Sequence, residues 1–328
     1  MTAYSVLDLC SICEGSSVAD ALNNSASLAR HAEALGYRRF WLAEHHNFPG
    51  IASAATSLVI SHVAAATSTI RVGAGGIMLP NHAPLVIAEQ FGTLEALHPG
   101  RIDLGLGRAP GTDMVTVNAL RRNLDGDVDQ FPKDVVELLR YLGEPDAGQA
   151  VVATPGAGSH IPVWILGSSL FGAQLAAALG LPFAFASHFA PAQLDEAIAL
   201  YRSRFRPSEQ LESPYVMLGF NIIAADSNDE AKFLASSVQR AFVNLRRGQP
   251  GKLQPPTAHY RENLPPADRA LLGQIMSCSA IGDVDTVKEA VSNFVNRTDA
   301  DELMIASQIY SHDARLRSYE LAASVFDA

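Results

Sequence analysis

Charged residues are scarce in this chain of 328 residues, since Asp, Glu, Lys and Arg together make up 18% of it. Acidic residues are in excess, with 34 Asp and Glu against 24 Lys and Arg, and the formal net charge is −10. No block of basic residues occurs, so the composition disfavours binding to nucleic acid or to an anionic membrane surface. The hydrophobic fraction of 48% provides for a large core and argues against intrinsic disorder.

Long apolar runs are also missing. Residues 51–70 and 163–187 contain no charged residue, but Ser and Thr interrupt the first, and Gly180 and Pro182 interrupt the second. Neither stretch therefore offers the ~20 continuous apolar residues that a membrane-spanning helix needs. Residues 1–12 lack a basic n-region, which argues against a signal peptide. We expect a cytoplasmic protein that does not associate with membranes.

Cysteine is rare as well, with three residues in the chain. Cys10 and Cys13 form a C-x-x-C pattern, but no second pair completes a zinc site. Glu14 and Gly15 follow where a redox motif would open a helix. We interpret these cysteines as incidental loop residues and predict no metal site around them.

A glycine-rich dinucleotide loop is the last notable absence. The best candidate, residues 105–111, has the wrong glycine spacing and carries Pro110 where a helix should continue. It also lies well beyond the first predicted strand and helix. The sequence therefore gives no sign of a nicotinamide site or of a doubly wound dinucleotide-binding fold.

What the chain does contain is a repeated alternation of apolar strand patterns and amphipathic helix patterns. Eight strands are predicted, at residues 3–9, 39–43, 70–75, 102–107, 163–166, 183–186, 215–225 and 302–306. This alternation predicts an α/β fold, a (β/α)8 TIM barrel formed by residues 1–328 as a single domain. Insertions follow strands 4 and 7, and the second includes a proline-rich surface excursion or lid at residues 248–268.

Several predicted strands end in residues that can carry chemistry. Strand 2 runs into Glu44, His45 and His46, and strand 3 into Gly75 and Gly76. In a barrel of this type, the carboxyl ends of the strands form the active-site face. Glycines at such an end would allow a flat ligand to lie against the backbone.

The next two strands supply groups that suit an anion. Strand 4 is followed by Arg108, and strand 5 by Gly167, Ser168 and Ser169 before a helix predicted to start at Leu170. Hydroxyl groups, free backbone amides and the helix dipole favour a phosphate there. Together with the glycine pair, these groups predict a planar cofactor that bears a phosphate.

Each feature also has a purely structural interpretation. The histidine pair could cap the strand end, the glycine pair could be a β-bulge, and the Gly-Ser-Ser segment could be an ordinary helix cap. Arg108 could pair with Asp103 or Asp113. A different hypothesis, a metallohydrolase, would use His45, His46, His82 and His188 as metal ligands.

Three ordered motifs point to a known family. They are Phe-Trp-Leu-Ala-Glu-His-His at residues 40–46, Val-Gly-Ala-Gly-Gly-Ile-Met-Leu-Pro at residues 72–80, and Pro-Gly-Arg-Ile-Asp-Leu-Gly-Leu-Gly-Arg at residues 99–108. In these motifs and their order, the chain closely resembles the bacterial luciferase-like flavin monooxygenases. It looks most like the short members whose substrates are mostly unassigned.

The resemblance implies roles for particular residues. His45 matches the catalytic histidine beside the flavin, and Gly75 and Gly76 match a non-proline cis peptide against the flavin ring. Arg108 and Ser169 match contacts to the phosphate of FMN. Two positions depart from the pattern, since Gly107 stands where luciferase has a reactive cysteine, and Gly172 replaces a phosphate-binding threonine.

The activity implied by the resemblance is a monooxygenase reaction. Reduced FMN from a separate flavin reductase would react with O2 to a C4a-hydroperoxyflavin, which would oxidise a small organic substrate such as an aldehyde. The resemblance also implies a homodimer. Two alternatives remain: an oxidoreductase that uses the deazaflavin F420, and a flavin-binding protein without turnover.

Overall fold

The computed structural model describes residues 2–109, 111–120 and 130–326. Its sheet has nine parallel strands in this part of the chain. They are β1 (Ala3–Asp8), β2 (Arg39–Leu42), β3 (Arg71–Met78), β4 (Ile102–Gly107), β5 (Val163–Gly167), β6 (Phe183–Phe185), β7 (Val216–Ala224), β8 (Ser279–Gly282) and β9 (Glu302–Ala306).

Eight of these strands close into a barrel. Strands β1 to β7 pair in sequence order, and β9 joins β7 to β1, which completes the ring. The predicted TIM barrel is therefore confirmed, and Glu302–Ala306 is its eighth strand. β8 was not predicted, and it pairs with the second half of β7, beyond the barrel ring.

Helices surround the barrel. In the described residues they are α1 (Val18–Ala34), α2 (Thr56–Ala65), α3 (Pro84–Leu97), α4 (Met114–Leu120), α5 (Phe131–Leu142), α6 (Leu170–Leu179), α7 (Leu194–Arg204), α8 (Asn228–Arg246), α9 (Pro266–Ile275), α10 (Val284–Thr298) and α11 (His312–Phe326). Short 3₁₀ turns occur at Leu79–Asn81 and Pro191–Gln193. None of the helices in this part of the chain is long and apolar enough to cross a membrane.

Both predicted insertions contain more structure than the sequence indicated. The one after β4 includes α4, while its residues 121–129 lie outside the described residues. In the one after β7, the proline-rich stretch also contributes to a buried cluster. Leu264 packs with Val243 and Leu272 in a small buried cluster, and α9 begins at Pro266.

The barrel interior is layered. At the amino-terminal ends of the strands, Arg39 Nη1 lies 2.7 Å from an Asp103 carboxylate oxygen, and Arg39 Nε lies 3.1 Å from one of Glu302. Above this buried ion network, the Trp41 and Trp164 rings pack edge to face with centroids 5.1 Å apart. The interior is thus closed at the amino-terminal end, which leaves the carboxyl-terminal end for a cavity.

Candidate active site

A cavity of about 380 Å³ lies at the carboxyl ends of the barrel strands. Aromatic and aliphatic side chains make up most of its lining, and Trp41 lies at its floor. Among the described lining residues, Arg108 and Lys252 carry a formal charge at neutral pH, and Asp and Glu are missing. Such a site suits a largely apolar ligand with one anionic group.

Glu44 is the shared partner in a group of polar contacts beside this cavity. Its buried carboxylate accepts hydrogen bonds from the backbone amide of Met78 at 2.9 Å and bonds the Nε2 atoms of His46 at 2.7 Å and His82 at 2.9 Å. Its own backbone N–H donates to the Gly76 carbonyl at 3.1 Å. These contacts join the loop after β2 to the end of β3.

The environment of Glu44 keeps its carboxylate charged. Burial alone would raise its pKa, but hydrogen bonds from His82, Met78 and His46 outweigh that effect, so the pKa lies below its usual value. His46 is bonded to Glu44 and is not among the cavity-lining residues. Glu44 and His46 are therefore supporting residues of the loop.

His45 has a different environment from its neighbour. Its ring lines the cavity, and its Nδ1 atom is buried with no hydrogen-bond partner in the described chain. Burial lowers the pKa of His45, although the nearby Glu44 carboxylate acts in the opposite direction. The imidazole is therefore neutral at pH 7, a state in which it can accept a proton or donate a hydrogen bond.

The Gly75–Gly76 peptide bond is cis, which confirms the expectation for this pair. Strand β3 continues through both glycines with a register shift between Gly75 and Ile77, so the predicted strand end at Gly75 was too early. Gly75 lines the cavity above Trp41, and a Cβ there would lie 3.0 Å from that ring. Gly76 is not among the lining residues, because it faces the β4 backbone. A Cβ on Gly76 would lie 2.6 Å from the Gly105 carbonyl oxygen.

Arg108 forms no ion pair within the described residues. Both suggested alternatives were wrong, because Asp103 pairs with Arg39 and Arg71, and Asp113 bonds Asn47 and Thr116. The Arg108 guanidinium instead lies over the Phe171 ring, 4.0 Å from its centroid, at the cavity wall. Its charge is therefore available to a ligand.

The start of α6 forms the adjoining wall. Ser169 occupies the helix-cap position with extended backbone, yet its side chain makes no capping hydrogen bond. Gly167, Ser168 and Ser169 line the cavity, whereas Leu170 is not a lining residue and packs against the core. The first amides of this helix are thus left without a side-chain partner, which is the arrangement that binds anions.

The described residues contain no group of three or more His, Cys, Asp and Glu side chains placed to hold a metal ion. The four histidines of the metallohydrolase hypothesis have separate environments. His46 and His82 bond Glu44, while His45 and His188 line the cavity.

Comparison with known proteins identifies the family. The family model for luciferase-like monooxygenases matches residues 6–301. The chain belongs to this family.

Individual relatives agree with this assignment. A luciferase-like monooxygenase of Escherichia coli (strain K12) is 56% identical over 323 residues, covering 98% of this chain and 96% of the relative. The crystal structure of apo-MsnO8 has a TM-score of 0.93 at 34% identity and covers 100% of this chain and 99% of that one. This protein is therefore an oxidoreductase with the luciferase-like barrel.

A more distant structure shares the fold. It is the oxygenating constituent of 3,6-diketocamphane monooxygenase from a Pseudomonas putida plasmid, a type II Baeyer-Villiger monooxygenase in complex with FMN. Its TM-score is 0.72 at 16% identity, and the match covers 98% of this chain and 96% of that one.

The structure accounts for both departures of this luciferase-like monooxygenase from the motif pattern. A Cβ at Gly107 would lie 2.7 Å from the Met78 sulfur, so Met78 fills the space that a cysteine side chain would take. A Cβ at Gly172 would lie 3.3 Å from the Gly167 Cα, so glycine allows α6 to pack closely against β5.

Sequence reasoning missed two parts of the cavity. One is the role of His188, which follows β6 and had been considered only as a metal ligand. The other is residues 250–254, here called the strap, which line the cavity as part of the predicted lid. Leu253 of the strap donates to the Ile12 carbonyl at 2.9 Å and accepts from the Glu14 amide at 2.8 Å. Prolines marked the strap as irregular, but nothing in the sequence indicated where it docks.

Proposed function

We propose that this luciferase-like monooxygenase uses reduced FMN and O2 to oxidise a small organic substrate. The observation that carries the proposal is the shared cavity. Its lining brings together Gly75 of the cis peptide, the neutral His45, the unpaired Arg108 and the uncapped start of α6. A protein of the same fold has been solved with FMN, which supports this choice of cofactor.

The residues fit such a cofactor in two places. Gly75 presents backbone without a side chain above Trp41, where an isoalloxazine ring would lie flat. Arg108, Ser168, Ser169 and the α6 amides would hold the phosphate, with Gly167 allowing close approach and Leu170 contributing a backbone amide. The reduced flavin would supply the reaction with O2.

His45 would then handle the proton. Because its pKa is lowered, the imidazole is neutral at pH 7 and would act as an acid/base, and the Glu44 contacts fix the loop that carries it. The apolar lining would favour loss of water from this region when a ligand fills it. We also propose that the strap acts as the lid of the cavity, since its residues line the cavity and belong to the insertion after β7.

The proposal includes partners. A separate flavin reductase would supply the reduced cofactor, and the enzyme would work as a homodimer of single-domain subunits. The substrate would be small and largely apolar, and an aldehyde is the first class to test.

Two measurements test the proposal. Titration with FMN, followed by flavin fluorescence, should show saturable binding that Arg108→Ala weakens about tenfold or more. Stronger binding of F420 than of FMN would instead favour the deazaflavin alternative.

The second measurement mixes the anaerobic complex of reduced FMN with O2 and follows the flavin absorbance. We expect a delay before oxidised flavin reappears, and His45→Ala should change that delay or abolish substrate turnover. The exposed His62 on α2 provides the control variant, His62→Ala. If His45→Ala behaves like the control in both the delay and substrate turnover, His45 is not the catalytic residue. Binding of FMN without any turnover would indicate a flavin-binding protein.

A further inference from the structure

A second histidine faces the cavity beside His45. His188 follows β6 and lines the same cavity as His45. Its ring is also within contact of Phe189, with centroids 5.1 Å apart. The proton-handling role assigned to His45 does not use this residue.

The backbone around His188 is held firmly against β7. The side chain of Asn221 donates from Nδ2 to the His188 carbonyl at 2.6 Å, and Ser187 Oγ donates to the Gly219 carbonyl at 2.7 Å. A Cβ on Gly219 would lie 2.2 Å from the His188 Nδ1 atom, so only glycine leaves room for the ring in this position. The orientation of the imidazole is therefore fixed.

This packing decides which nitrogen carries the proton. The Nδ1 atom is buried against Gly219 and has no hydrogen-bond partner in the described chain. A buried N–H without an acceptor is rare in folded proteins because it is costly. We therefore expect the proton of the neutral ring on Nε2, the nitrogen that is not packed against Gly219.

The ring stays neutral under ordinary conditions. Burial, with a smaller contribution from His45, lowers the pKa of His188 to about 4. Carboxylates are missing from the described lining, so nothing there stabilises an imidazolium. A neutral Nε2–H is a hydrogen-bond donor that lacks an acceptor until a ligand supplies one.

We propose that His188 binds the substrate, donating Nε2–H to the carbonyl oxygen of an uncharged aldehyde or ketone held beside His45. This inference rests on the proposed monooxygenase function and adds a substrate-binding role for His188. A thioether or an alkene would leave the donor unpaired. A substrate carboxylate or ammonium group near His188 would lie among apolar residues without a counter-ion, since Arg108 lies at the α6 wall and Lys252 donates to the Ser16 carbonyl.

The state of His188 can be measured without cofactor or substrate. In full-length protein labelled with ¹⁵N-histidine, the His188 signals are assigned by comparison with His188→Gln. We expect the neutral form with the proton on Nε2, unchanged from pH 8 to pH 5.5. Titration near pH 6.5, or a proton on Nδ1, would overturn the proposal.

Binding of a matched ligand pair tests the carbonyl contact. The probes are 2-hexanone and 2-methyl-1-hexene, which have nearly the same shape but differ in the carbonyl oxygen. Calorimetric titration gives the ratio of ketone affinity to alkene affinity, and this ratio should be roughly three- to tenfold higher in the wild type than in His188→Phe, the value of one hydrogen bond. His188→Gln, which keeps an N–H donor, should retain part of this difference. His62→Gln serves as the control.

Three results would contradict the proposal: the same affinity ratio in the wild type and His188→Phe, a higher ratio in His188→Phe, or loss of FMN affinity in both His188 variants with the wild-type ratio intact. The last result would make His188 a cofactor contact. Failure of the wild type to bind FMN would instead count against the proposed function, because the tautomer and the ketone preference are measured without the flavin.

Discussion

At the scale of single residues, Glu44 shows how a charged group can shape a site without facing it. Its carboxylate is 1% exposed and bonds two histidines and the Met78 amide, so it joins the loop after β2 to the end of β3. His45 is adjacent in sequence, and its position depends on that loop. The residue that organises the site is thus distinct from the residue that faces the cavity.

Replacement of Glu44 by glutamine should destabilise the protein. The amide keeps the shape but cannot accept hydrogen bonds at both positions, so we expect a loss of about 2 kcal/mol in the free energy of unfolding. Urea denaturation at pH 7 measures it. The exposed Glu209 provides the control, because Glu209→Gln should leave the midpoint within experimental error. Equal midpoints for both variants would refute the role of Glu44.

His188 should make stability depend on pH. Its pKa is about 4 in the folded protein and about 6.5 when unfolded, so only the unfolded chain gains a proton between these values. The wild type should therefore have its full stability above pH 6.5 and lose up to about 3 kcal/mol as the pH falls toward 4. His188→Gln should lose less over the same range. Urea midpoints at pH 7.5 and pH 5 measure the difference, and parallel changes in the two proteins would contradict it.

At the scale of elements, the cavity is enclosed by loops that bind one another. The loop after β1 bonds the loop after β2 through the Ile12 amide and the Gly50 carbonyl, at 2.8 Å, and it bonds the strap through Leu253. Gly50 also lies directly against Gly251, where a Cβ on Gly50 would be 2.2 Å from the Gly251 oxygen. A side chain at Gly50 therefore cannot fit unless the strap moves.

Two alanine substitutions in this one contact should behave differently. Gly50→Ala should displace the strap and make it more sensitive to limited proteolysis, and FMN should then dissociate faster. In Gly251→Ala, the new Cβ meets nothing within 4 Å, so this variant should resemble the wild type. Proteolysis rates and flavin release measured by stopped flow compare the three proteins. Identical behaviour of the two variants would show that the strap does not depend on this contact.

At the scale of the whole molecule, the two ends of the barrel have different roles. The amino-terminal end contains buried ion pairs that join β2, β4 and β9, whereas the cavity lies at the opposite end. Arg39 is 5% exposed, and Asp103 and Glu302 are fully buried. The charges at this end close the ring of strands, and they reach the cavity floor through the hydrogen bond that Trp41 Nε1 donates to Asp103 at 3.2 Å.

Arg39→Met should therefore affect stability rather than binding. The substitution removes the guanidinium that pairs with the buried carboxylates of Asp103 and Glu302. Loss of such a partner typically lowers the free energy of unfolding by about 3–5 kcal/mol. The exposed pair Arg140 and Asp146 provides the comparison, since Arg140→Met should change stability by less than about 1 kcal/mol. Urea denaturation measures both variants. FMN affinity of folded Arg39→Met should match the wild type, and a large loss of affinity would contradict the separation of the two ends.

The barrel could be predicted from sequence because each of its strands is an apolar run followed by a helix pattern. β8 could not, since it has only four residues and follows the end of α9 by a short turn. α9 was missed because it starts at a proline within that segment. Contacts between residues far apart in the sequence could not be predicted either. The fit of His188 against Gly219 is an example, because it depends on the end of β6 lying beside β7.

The site residues show the same limit. Strand ends predicted that His45, Gly75 and Arg108 share one face, and the structure places all three in one cavity lining. Their roles toward a flavin stay predictions. Sequence could not separate Gly76 and Leu170 from their lining neighbours, because orientation alternates between adjacent residues and depends on packing.

The edge-to-face pair at the cavity floor has an optical consequence. The chain has two tryptophans, and these are Trp41 and Trp164, which touch each other in the barrel interior. Nearly all long-wavelength ultraviolet emission of the protein should thus originate beneath the proposed flavin position. Because oxidised flavin absorbs in that emission range, energy transfer should quench almost the whole signal when FMN binds. A titration of the unlabelled protein would read out occupancy directly, and bright emission at saturation would show that the flavin lies elsewhere.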